Sequence, residues 1–127
     1  MVKRNILVIF LFCALLAGVL LEQNYIDSSF ITMSKDVESL KTDIKDEELK
    51  TSKTKIQEIK TYWQDRELVL SLFVDYKDID QIGKQIELIS AHLQNDDFEL
   101  AFVECDLLCH IIKTYYNTVN FDWQNII

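Results

Sequence analysis

Cys105, Cys109 and His110 carry the side chains best suited to chemistry in this 127-residue chain. Thiols four residues apart share one face of a helix, the spacing that a zinc site built on a helix uses. The fourth ligand is the difficulty. In an antiparallel hairpin turning near residue 95, His92 and Cys105 differ in height by roughly 9 Å at 1.5 Å per residue, too far for one tetrahedral site. His110 points about 100° away from Cys109. The spacing therefore predicts buried thiols, and no metal site. A disulfide between Cys105 and Cys109 within one helix would be strained. A second stretch, Asp75-Tyr76-Lys77-Asp78-Ile79-Asp80, is rich in carboxylates. A calcium loop needs oxygen ligands at alternate positions, then a glycine and a closing glutamate. Here Ile82 stands where an oxygen is required and Gly83 is out of register, so capping aspartates in a helix connector are expected.

No glycine-rich phosphate loop, H-E-x-x-H or G-x-S-x-G occurs, and no nucleophile has a base beside it in sequence. A bundle with few loops also offers little of the irregular backbone that usually carries active sites. The expectation is no enzyme, no catalytic residues and no cofactor. A hydrolase or redox role is the third choice; it would run through Cys105 and Cys109. The closing segment Phe121-Asp122-Trp123-Gln124-Asn125-Ile126-Ile127 is unusually apolar for a terminus. Either Trp123 and Ile126 fold back to cap the core, or the segment docks a partner. The end of the last helix should lie beside the connector that ends at Asp80, so the candidate partner surface is Tyr76, Asp78, Asp80, Trp123 and Asn125.

The elements that must position these residues are helices. The chain has no proline and only two glycines, Gly18 and Gly83, too little punctuation for a strand-rich fold. Ile26, Phe30, Met33, Val37, Leu40 and Ile44 recur at spacings of 4, 3, 4, 3 and 4, a heptad-like seam. A new phase starts with Ile56, Ile59, Trp63, Leu70 and Phe73, so residues 34–74 are one helix with a stutter or two hinged near 46–54. Ile79, Ile82, Ile86, Ile89 and Leu93 make the next stripe, with Asp78 and Gln81 as a capping box. Asp96 is the expected cap of a last helix with the seam Phe98, Ala101, Cys105, Leu108, Ile112, Tyr115 and Val119. The predicted fold class is all-α: an N-terminal transmembrane helix, then a long helix, broken or continuous, and an antiparallel hairpin, giving a three-helix bundle.

From Ile6 to Leu21 the sequence ILVIFLFCALLAGVLL carries no charge and spans roughly 24 Å as a helix, near the short limit for a bilayer. A cleaved signal peptide is the competing reading, but no A-x-A-like site follows the run. Lys3 and Arg4 precede it and Glu22 and Asp27 follow it, which predicts a single-pass protein of the cell membrane with a cytoplasmic N-terminus and an extracytoplasmic C-terminal domain. The organisation expected is 1–26 anchor, 27–55 membrane-proximal helix and polar hinge, and 56–127 bundle with an apolar tail. Beyond the run stand 11 basic and 21 acidic residues, a surface that repels phosphate backbones and excludes nucleic acid as a partner.

The basic N-terminus, the single run, Trp63-x-x-Arg66, Asp75-Tyr76-x-x-Ile79-Asp80-x-Ile82, the turn Asp96-Asp97 and the closing Asn125-Ile126 form a set of marks. Together they resemble a family of short membrane-anchored helical proteins of Gram-positive, spore-forming-type bacteria, classed as a domain of unknown function. The resemblance implies the same topology and no activity. The function expected is an accessory or interaction module for another envelope or membrane protein, or for a second copy. The alternative is a small-molecule- or ion-sensing outer domain.

Overall fold

The computed structural model describes the backbone of residues 2–126 and the side chains of residues 2–118. Four helices run in chain order through the described residues: α1 (Val2–Lys45), α2 (Leu49–Leu70), α3 (Tyr76–Gln94) and α4 (Phe98–Ile126). No strand occurs among the described residues. α1 packs on α2 and α4, and α3 packs on the same two, while the diagonal pairs make no comparable contact among the described residues. This is a square, up-down-up-down four-helix bundle.

The expected three-helix bundle is thus corrected by one helix. The seam Ile26, Phe30, Met33, Val37, Leu40 and Ile44 is fully buried and forms the fourth wall. It meets Ile56, Ile59, Trp63 and Leu70 of α2, Ile79 to Leu93 of α3, and Ala101, Cys105, Leu108 and Ile112 of α4, all buried in one cluster. Phe30 touches Trp63 edge-on at 6.2 Å between ring centroids and Tyr116 at 6.1 Å, tying three helices at one level. Ion pairs lie along the seams: Asp43–Lys55 at 2.6 Å, Lys60–Glu87 at 2.7 Å and Lys41–Asp106 at 2.7 Å. Pairs at the surface contribute little to stability, so the apolar seams hold the alignment.

The turn between α1 and α2 explains why one helix or two could not be told apart. Glu47 has φ 58°, the left-handed position that normally takes glycine. Its N–H donates to the Ile44 carbonyl and that of Glu48 to the Asp43 carbonyl, both at 3.0 Å, which closes the end of α1. Asp96, at φ 56°, ends α3 in the same way, with its N–H on Leu93 and that of Asp97 on His92. The caps accordingly shift from those expected. Asp97, not Asp96, caps α4 by accepting from the Leu100 N–H at 3.0 Å, and Asp75, not Asp78, caps α3 by accepting from the Lys77 N–H. Phe73 also leaves the core: α2 ends at Leu70, and Val74 takes the inward position after the turn.

The first part of α1 behaves differently from the rest. Burial begins only at residue 22; the run before it is exposed throughout, and α1 is long and apolar enough there to cross a membrane. A signal sequence near an N-terminus meets the same test of length and composition.

Candidate functional site

Cys105 and Cys109 both face the core. The Cys105 thiol lies 3.5 Å from the Val37 carbonyl of α1, and burial pushes both thiols up, Cys109 to about 11. Nucleophilic and metal-binding sulfur is thiolate, so neither group is poised for chemistry near neutral pH. His110 points to solvent, away from them. Among the described residues no group of three or more His, Cys, Asp or Glu is placed to hold a metal ion.

The proposed surface around the start of α3 is only partly assembled. Tyr76 opens the helix and is exposed. Asp78 and Asp80 stand two positions apart on a helix, about 200° around its axis, and serve different neighbours. Asp78 faces α4, where the Tyr115 hydroxyl donates to Gln81; burial and then the Asp78 carboxylate push that phenol up. Asp80 faces α2 and accepts from Lys84 at 2.9 Å. The start of α3 meets α4 at Tyr115, well before the end of that helix, and the side chains of Trp123 and Asn125 lie outside the described residues.

Asp80 belongs to a groove between α2 and α3 of about 210 Å³, lined by Lys60, Trp63, Glu67, Gly83, Lys84 and Glu87 among others. Gly83 is closely approached there: a Cβ would sit 3.1 Å from Glu67 Oε1, so that carboxylate would have to shift slightly, and 3.8 Å from Trp63 Nε1. The indole N–H is buried and has no hydrogen-bond partner among the described residues. Burial, and then the Asp80 carboxylate, raise the Glu67 carboxyl above the ordinary carboxylate range.

A further surface escaped the reading of the sequence. Leu100, Val103 and Leu107 repeat at spacings of 3 and 4 on the outer face of α4, and all three are exposed, Val103 at 55%. They lie about a third of a turn from the buried seam Ala101, Cys105 and Leu108. The signal was available: α4 carries more large apolar residues between 98 and 112 than one stripe can hold.

A family model described as a domain of unknown function, DUF4363, matches residues 20–126. The chain belongs to the DUF4363 family. The match covers all four walls of the bundle and leaves out most of the exposed apolar run. This DUF4363 chain matches no curated protein and no solved structure at a significant level.

Proposed function

We propose that this DUF4363 protein is a non-enzymatic, single-pass membrane protein whose four-helix bundle serves as a docking module for another membrane or envelope protein. The observation that carries the docking role is the exposed seam Leu100, Val103 and Leu107. An apolar stripe at spacings of 3 and 4 that faces water is the kind of surface a partner helix covers. The exposed run from Ile6 to Leu21 supports the anchor, and Lys3 and Arg4 before it support a cytoplasmic N-terminus with the bundle outside.

The test is in-cell crosslinking of tagged full-length protein, extraction in mild detergent and mass spectrometry, repeated with Val103→Asp. Both copies of that experiment should contain folded bundle, because Val103 touches solvent. A stoichiometric partner with the native chain that disappears with Val103→Asp supports docking through α4; a second copy as that partner would mean self-association. A lone monomer in cells defeats the reading. One observation favours a sensing domain as the second reading, namely the orphaned Trp63 N–H beside the α2–α3 groove. A thermal-shift screen that stays flat with amino acids, organic acids and divalent cations would count against it.

A further inference from the structure

The two ends of the bundle differ in chemistry. At the end far from the run, the α1–α2 turn is Asp46, Glu47 and Glu48 and the α3–α4 turn holds Asn95, Asp96 and Asp97. Polar residues are what exposed turns ordinarily use. At the near end, residues 68–74 read Leu-Val-Leu-Ser-Leu-Phe-Val. Leu70 and Val74 of that stretch are buried. Others project outward: Leu68 is 78% exposed, Leu72 73%, and Phe73 and the following Tyr76 are exposed as well. Among the described residues, no core contact requires these four side chains to be apolar.

Their height along the bundle gives the reason. Phe30 is level with Trp63. From Trp63 to the end of α2 at Leu70 the chain climbs roughly 10 Å, and the same climb along antiparallel α1 leads from Phe30 to about Gln23, with the turn of residues 71–74 just beyond that level. The apolar connector therefore lies level with the point where the exposed run ends. The run itself is short. Its roughly 24 Å falls below the ~30 Å of a bilayer's hydrocarbon core, which draws the lipid surface up to the base of the bundle.

We propose that Leu68, Leu72, Phe73 and Tyr76 form a foot that rests in the headgroup and acyl-chain boundary of the bilayer that α1 crosses. The bundle stands directly on the membrane with its acidic turns outward. The inference rests on the anchor reading above and adds a second contact with lipid. An aromatic and leucine-rich edge suits this zone. The charges that flank the foot in sequence are net acidic, Asp65, Glu67, Asp75, Asp78 and Asp80 against Arg66 and Lys77, so there is no basic cluster to demand anionic lipid. Zwitterionic lipid is sufficient.

The experiment uses full-length protein reconstituted in phosphatidylcholine vesicles, with Cys13→Ser as background; Cys105 and Cys109 are buried and stay unlabelled in the folded chain. A polarity-sensitive fluorophore is placed at Leu72→Cys, at Glu47→Cys in the far turn and at Leu15→Cys in the run. Tyr76→Cys repeats the measurement at an exposed position that makes no core contact. The expected result is blue-shifted emission at 72 and 76 that is quenched by brominated lipid, with no shift or quenching at 47. Adding phosphatidylglycerol should leave this pattern unchanged. Quenching at 15 but water-like emission at 72 and 76 would overturn the foot and leave the anchor standing. No quenching at 15 would overturn both. Blue shift at 72 without lipid quenching would assign the surface to a protein neighbour, which also overturns the proposal.

Discussion

If α1 is a wall of the bundle and not a stalk beneath it, the remaining helices cannot fold without it. The perturbation is to compare two soluble pieces, one beginning at Gln23 and one at Leu49, and to add Phe30→Ala to the first. Beginning at Leu49 removes six fully buried apolar side chains, from Ile26 to Ile44. At roughly 1.5–3 kcal/mol each they contribute on the order of 9–18 kcal/mol. That matches or exceeds the ~5–15 kcal/mol by which a whole domain is stable. The piece from Leu49 should lack a cooperative transition, whereas the piece from Gln23 should unfold in one step. Phe30 sits between Trp63 and Tyr116, so truncating it leaves a cavity and two rings without their partner. The expected cost is about 3–5 kcal/mol. Urea unfolding followed by far-ultraviolet circular dichroism reads both effects. If the piece from Leu49 unfolded with the same midpoint and slope as the piece from Gln23, the four-helix reasoning would be wrong, and a three-helix bundle on a separate stalk would be right.

Two further outcomes follow from local chemistry. Glu47→Gly relieves a left-handed φ of 58° in a residue with a Cβ, and should stabilise the piece from Gln23 by up to about 1 kcal/mol, seen as a higher urea midpoint with unchanged slope. Glu67→Gln should stabilise the bundle at pH 7 and do nothing near pH 3. The folded state raises the Glu67 pKa, so holding its charge costs stability only as pH rises above the ordinary carboxylate value. A gain of equal size from this substitution at both pH values would mean that the carboxylate charge is not the cause.

Much of the bundle was legible in the spacing of its apolar residues. The stripes of α1 and α3 are buried to the last member, because a 3–4 repeat leaves a helix only one way to hide them. The count of helices was harder to read because closure of the α1–α2 turn depends on Glu47, a residue whose type gives no sign of a left-handed backbone. The caps slipped by one to three positions for a related reason: runs such as Asn95-Asp96-Asp97 offer several residues able to cap, and only the backbone path selects one. Pairing Asp78 with Asp80 assumed a loop around both. Once Tyr76 opens a helix, the two carboxylates turn to opposite neighbours. The seam Leu100, Val103 and Leu107 was masked by the adjacent buried seam, since composition alone does not say which of two stripes faces inward.

The anchor and the docking seam constrain one another through α1. Between residues 19 and 45 this helix contains neither glycine nor proline, the usual causes of a sharp kink, and it is unbroken from the exposed run into the core. With the run in a bilayer, the bundle has no hinge on which to swing, and its tilt follows that of the anchor. Lys41, twenty residues beyond Leu21, pairs with Asp106 beside Leu107, at the lower end of the outer seam of α4. At 1.5 Å per residue the seam therefore stands about 30 Å above the end of the run. A partner confined to the membrane could not reach it. On the proposed reading, a partner that covers Leu100, Val103 and Leu107 would itself have to rise about 30 Å from the lipid surface, as a helical extension or a soluble domain of an envelope protein does.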